Sequence, residues 1–72
     1  MNKIEFEHEM KKHGDTQMTL AVDMGISRGT LNGKINETNG KEFLTSELNF
    51  IKKRYRLSDS RFIEIFFAKN VS

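Results

Sequence analysis

The sequence predicts an all-α domain of five short helices, and three observations lead there. Apolar residues recur three and four positions apart rather than on alternate positions. Asn, Thr and Ser stand immediately ahead of the apolar runs, as helix N-caps do, and Gly stands behind two of them. Proline is absent from the 72 residues, which suits helices joined by Gly and Asn turns better than a sheet with proline-marked edges.

In chain order, the first helix is expected from Lys3 to His13, capped by Asn2 and stopped by Gly14. Phe6 and Met10, four apart, face inward, helped by Ile4. Thr16 caps a second helix ending at Met24, and Ser27 caps a third ending near Asn36. Glu37 to Glu42, with its Asn39-Gly40 pair, is a polar turn. Thr45 is the expected cap of the fourth helix, whose inner side carries Leu48, Ile51 and Tyr55. Ser58 caps the fifth, where Phe62, Ile63, Phe66 and Phe67 recur one and four positions apart.

Length and composition set the bounds. A chain of this size buries only about 60% of its unfolded surface. With no cysteine it has neither disulfides nor a thiolate metal site. One domain over residues 1–72 is expected, held by helix packing or by association. No apolar run reaches the roughly 20 residues that span a bilayer. The acidic start, Met1 to Glu9, does not read as a signal peptide, so a cytoplasmic protein is expected and the triplets at Asn36 and Asn70 carry no glycan. The fifth helix holds more apolar surface than so small a core needs, Phe50, Ile65 and Phe67 being the hardest to place. Two readings are open: these residues cap the core, or Phe62, Ile63, Phe66 and Phe67 form a homodimer surface.

The formal net charge is +2 and the pI about 9.1. Glu5, Glu7, Glu9 and Asp15 weight the start toward acid, while Lys52, Lys53, Arg54, Arg56 and Arg61 cluster later. That cluster suits a polyanionic partner and equally a helix C-terminus, where cations favour the dipole.

Gln17 to Asn36 carries the most information. Leu20, Ala21 and Met24 form the inner side of one short helix; Gly25 stands where the chain must turn, Ile26 plugs the corner, and Leu31 and Ile35 form the inner side of the next. This is helix-turn-helix spacing, which leaves the outer side of the second helix free to enter a DNA major groove. Ala21 is small where the helices cross, and Gly25 suits positive φ. The outward positions are Ser27, Arg28, Gly29, Asn32, Gly33 and Asn36. Arg28 has the donors to pair with guanine and Asn32 the amide to pair with adenine, each arrangement discriminating by roughly 1–3 kcal/mol. Ser27 caps the helix with a hydroxyl that also reaches a phosphate. Lys34, Lys41 and Lys3 are candidate phosphate contacts.

The residues Thr16-Gln17, Leu20-Ala21, Met24-Gly25-Ile26-Ser27-Arg28, Thr30-Leu31 and Lys34-Ile35-Asn36 resemble the Cro/CI-type (XRE) helix-turn-helix family of phage and bacterial regulators. The likeness continues through Leu57-Ser58-Asp59 into Glu64-Ile65-Phe66-Phe67. The small size is similar to switch proteins of temperate phages, including the modulator-of-repression type. The resemblance implies a five-helix lambda-repressor-like DNA-binding domain, with Gln17 placed where family members bind the sugar-phosphate backbone or a base edge. It implies a DNA- or partner-binding set of Gln17, Ser27, Arg28, Gly29, Thr30, Asn32, Gly33, Lys34, Asn36 and Lys41.

Three features depart from that pattern. Glycine at both 29 and 33 costs about 1 kcal/mol of helix stability at each site and offers no side chain to a base. The pair is open to two readings: drift on a helix held by its neighbours, or a backbone that must let a groove floor or another protein's helix come close. Asp15 stands where relatives often place a leucine that staples the helix entry. Lys34 stands where many bury an aliphatic residue, and its ammonium is expected to stay wet.

Catalytic and metal chemistry are not expected. His8 and His13, five apart, point about 140° away from each other on a helix and cannot share a metal. Gly29 to Lys34 lacks the spacing of a phosphate-binding loop. Ser46 and Glu47 are helix-start residues, and no nucleophile with a nearby base can be assembled. The sequence therefore reads as a non-enzymatic regulator without cofactor. Its expected target is operator DNA; the alternative is an antirepressor that binds the phage CI-type repressor through the same surface.

Overall fold

The computed structural model describes residues 1–67, and those residues form five α-helices with no strand among them. They are α1 (Lys3–Lys12), α2 (Gln17–Met24), α3 (Arg28–Ile35), α4 (Thr45–Arg54) and α5 (Asp59–Phe66), with a 3-10 turn over Thr38–Gly40 between α3 and α4. No helix of the described residues is long and apolar enough to cross a membrane.

Local chemistry starts most of these helices. Asn2 accepts the Glu5 amide, Ser27 the Thr30 amide and Ser58 the Arg61 amide, each meeting one of the donors that a helix start leaves without a partner. Thr16 and Thr19 cap α2 reciprocally, each hydroxyl accepting the other residue's backbone N–H, at 2.9 and 3.1 Å. Helix α4 departs from the expectation. Leu44, not Thr45, holds the cap position, and its N–H donates to the Glu47 carboxylate at 2.8 Å. A carboxylate at the third helical position supplies the acceptor, and Thr45 becomes the first helical residue.

Three helices end in one way. Gly14, Gly25 and Arg56 each adopt a left-handed φ, of 67°, 73° and 51°. The amide of the following residue reaches back to a carbonyl five positions earlier: Asp15 to Met10, Ile26 to Ala21, Leu57 to Lys52. This Schellman closure satisfies the terminal carbonyls and favours glycine at the left-handed position. Arg56 takes that conformation without being glycine, at a cost of about 1–2 kcal/mol.

Phe6, Leu20, Leu31, Ile35, Ile51 and Ile65 are fully buried, joined by Met10, Ala21, Tyr55 and Leu57. Every helix therefore contributes to one core. Phe6 lies at its aromatic centre, with Phe43 and Phe66 at ring separations of 6.0 and 5.7 Å, within the range in which edge and tilted ring pairs attract. The N–H of Asn2 donates to the carbonyl of Ile65, tying the start of α1 to the end of α5.

Two assignments of inward side chains change. Ile4 is 65% exposed, because two positions along a helix from Phe6 is about 200° around it. In α5 the inner stripe is Phe62, Ile65 and Phe66, while Ile63 and Phe67 point to solvent. The helix offers two apolar stripes one position apart, and packing on α1 selects between them. Ile65, expected to be hard to accommodate, is completely buried. Leu48 is half-buried, and Phe50 lies at the edge of exposure.

Candidate partner-binding face of α2 and α3

Helices α2 and α3 are joined by Gly25, Ile26 and Ser27. The left-handed Gly25 reverses the chain, Ile26 is half-buried against the core, and Ser27 starts α3. Leu20, Ala21, Leu31 and Ile35 are buried between the helices and the rest of the domain. The opposite side of α3 is turned outward, with Arg28, Gly29, Asn32 and Asn36 exposed.

Gln17, Arg28, Gly29 and Asn32 line one open groove of about 460 Å³. Gln17 comes from the first turn of α2 and the other three from α3, so the turn at Gly25 brings the two helices' polar residues together. A Cβ added at Gly29 would meet nothing within 4 Å; the backbone there is bare on the groove's floor. Asn36 donates its side-chain amide to the carboxamide oxygen of Asn32 at 2.7 Å and to the Asn32 carbonyl at 2.9 Å. This holds the Asn32 side chain with its NH2 free to donate. The Ser27 hydroxyl, besides capping, bonds Thr30 Oγ1 at 2.8 Å, so its proton has an internal acceptor. Thr30 itself is half-buried.

The remaining expected residues divide. Lys34 does not present a wet ammonium. Its Nζ lies 2.6 and 2.7 Å from the two carboxylate oxygens of Glu47, with both side chains mostly covered, and Glu47 is the residue that caps α4. The ion pair locks α3 to α4. Gly33 is not part of an open surface either: it is buried, and the Lys41 side chain lies across it. Lys41 forms no ion pair among the described residues and is exposed. Lys3, on the first turn of α1, does not line the groove.

Asp15 has the largest unexpected role. In place of a staple it is a nearly buried carboxylate, 5% exposed, at the α1–α2 junction. It accepts from Arg54 Nε at 2.7 Å and Nη2 at 2.9 Å, from the Tyr55 hydroxyl at 2.5 Å, and from Thr19 Oγ1. Burial pushes its carboxyl up, but the bonds from Arg54, Thr19 and Tyr55 outweigh it and hold the group well below the usual carboxylate range. Burial, reinforced by Asp15, pushes the Tyr55 phenol up. Arg54 also reaches Asp23 on α2 at 2.6 Å. The base of α2, from which Gln17 projects, is thereby anchored to α4.

The basic cluster is largely spent in the same way. Arg61 pairs with Glu5, Glu9 and Glu64, and Lys52 pairs with Asp59 and lies over the Phe62 ring. Lys53 and Arg56 are left exposed without an ion pair among the described residues. Of the ten acidic residues, only Glu7 and Glu42 lack an ion pair there. One guanidinium thus serves three carboxylates at the α1–α5 contact, while Arg28 and Lys41 are exposed cations at α3 without an ion pair among the described residues.

His8 lies 3.6 Å from Glu5, and His13 stacks on Tyr55 with ring centroids 5.0 Å apart, 3.7 Å from Glu9. The described residues hold no group of three or more His, Cys, Asp or Glu arranged for a metal ion. Comparison of the chain with protein-family models, with curated proteins and with solved structures finds no match.

Proposed function

We propose that this chain is a small helix-turn-helix transcriptional regulator of the Cro/CI type, acting in a phage lysis–lysogeny switch in the host cytoplasm, and that α3 engages operator DNA. One observation carries this reading: a left-handed Gly25 sets two short helices so that Gln17, Arg28, Gly29 and Asn32 share one outward groove. In this reading Arg28 pairs two donors with guanine O6 and N7. Asn32, its oxygen already oriented by Asn36, pairs with adenine, each contact being worth roughly 1–3 kcal/mol of discrimination. Lys41 and Gln17 contact phosphates, which position the domain and supply most of the affinity. Catalysis has no part in it. The test is fluorescence anisotropy on a library of operator-like duplexes at low salt. Arg28→Ala is expected to relax base preference at one position while retaining non-specific binding; a wild-type protein that binds no duplex rejects the reading.

A second reading is favoured by two specific observations. With Lys34 committed to Glu47, the α3 side offers little free positive charge to a polyanion. On α2, Met18 and Val22, one turn apart, are 58% and 70% exposed, an apolar stripe that suits a protein better than a phosphate backbone. The surface then belongs to an antirepressor that binds a CI-type repressor and alters its hold on DNA. NMR titration separates the two: α3 amides move with DNA alone in the first case, and only with repressor in the second. Of the expected homodimer residues, Ile63 and Phe67 are exposed while Phe62 and Phe66 pack on the core, so a dimer through α5 would bury the first two.

A further inference from the structure

Glycine at position 33 sits in the interior of α3, where it is the poorest helix former short of proline. A methyl group built there would lie 3.1 Å from Cδ, 3.9 Å from Cε and 3.5 Å from Nζ of Lys41. The first distance is tighter than ordinary van der Waals contact, so the Lys41 stem would have to give by a few tenths of an ångström to admit a side chain at 33. Gly29, one turn earlier, has nothing within 4 Å. The two glycines of α3 therefore have different causes, and only the second is explained by an internal contact.

The connection after α3 is shaped to make that contact. Glu37, Asn39 and Gly40 all adopt left-handed φ, at 53°, 54° and 73°, a conformation uncommon outside glycine. These residues double the chain back on α3. The amides of Glu37, Gly40 and Lys41 are met by the carbonyls of Lys34, Glu37 and Thr38. The Glu37 carboxylate is held at 3.0 Å by the Met1 ammonium, so the turn is tied to the start of the chain as well. Lys41 emerges from this turn lying over Gly33, about one helical turn along α3 from Gly29, which lines the groove.

We infer that Gly33 is a positioning residue: its missing side chain seats the Lys41 stem across α3 and so delivers the Lys41 ammonium to a phosphate of nucleic acid held in the neighbouring groove. Lys34, the other lysine near α3, cannot take this role without abandoning Glu47. The inference rests on the operator-binding reading for its ligand, though the seat itself does not.

The experiment has two arms, both on the full chain. In the free protein, NOEs between the Gly33 Hα protons and the Lys41 side chain report the seat; their absence overturns it. On DNA, anisotropy titrations across a salt series compare wild type, Lys41→Ala, Gly33→Ala and the double variant. Removing one phosphate contact is expected to lower the slope of log K against log salt by about 0.9. Lys41→Ala should show that fall, Gly33→Ala should shift in the same direction, and the double variant should match Lys41→Ala alone. Because alanine favours helix, Gly33→Ala should keep or raise the thermal midpoint, so weaker binding by a protein at least as stable marks positioning rather than unfolding. A Gly33→Ala variant with the full wild-type slope, or a double variant weaker than Lys41→Ala, overturns the inference. Wild type that binds no DNA overturns the operator reading and the phosphate contact with it, while the NOEs still decide the seat.

Discussion

Replacing Asp15 with alanine tests whether one side chain anchors the α2 end of the candidate site. The substitution removes the acceptor for two Arg54 donors, the Tyr55 hydroxyl and the Thr19 hydroxyl. Breaking a buried ion pair from one side costs about 3–5 kcal/mol, and leaving a buried hydroxyl without an acceptor costs about 1–3 kcal/mol. Asp23 still holds Arg54 and the guanidinium is partly exposed, so a total of about 3 kcal/mol is expected. At roughly 0.05–0.15 kcal/mol per residue, a domain of 72 residues has only about 4–11 kcal/mol to lose. The thermal midpoint should fall by about 12–24 °C, at 4–8 °C per kcal/mol. Urea melts followed by circular dichroism at several pH values supply the assay, with Tyr55→Phe as the control that loses only one bond, about 1 kcal/mol. Asp15 has a depressed folded pKa, so its contribution is complete above the unfolded carboxyl value of about 3.9 and is given back as pH falls below it. The gap between wild type and Asp15→Ala should therefore be full at neutral pH and narrow below about pH 4. A variant within about 1 kcal/mol of wild type at neutral pH, or a gap that persists unchanged into strong acid, would refute the anchoring argument.

Three further outcomes are expected. Arg56→Gly relieves a left-handed φ of 51° and should stabilise the protein by about 1 kcal/mol in thermal melts; a lower midpoint would show that the Arg56 side chain holds more than its backbone costs. Lys34→Ala should destabilise by about 1–2 kcal/mol through the loss of the mostly covered pair with Glu47, with DNA titrations at fixed folded fraction unchanged in salt slope. Ser27→Ala should cost about 1 kcal/mol of stability by leaving the Thr30 amide without its cap, read as faster hydrogen exchange across the first turn of α3.

Much of the candidate groove is legible in the sequence. Arg28, Gly29 and Asn32 are spaced to share one side of a single helix, and Gln17 follows from the length of α2 and the glycine turn. The burial of Gly33 was not legible, because it depends on three left-handed residues folding Lys41 back, and two of them, Glu37 and Asn39, are not glycine. Asp15 carried a faint signal as a carboxylate beside the Thr16 cap, but nothing nearby pointed to Arg54 or Tyr55.

The five helices and most of their ends follow from local sequence. Caps such as Asn2, Thr16, Ser27 and Ser58, and stops such as Gly14 and Gly25, act on backbone groups three to five residues away, so their meaning is complete within a short segment. Tertiary structure decided which apolar stripe of α5 is buried and which charges remain available to a partner. Lys34 meets Glu47 across 13 positions and Asp15 meets Arg54 across 39. Such pairs exist only once the helices are packed, because direct charge pairing and desolvation act over a few ångströms of space rather than along the chain.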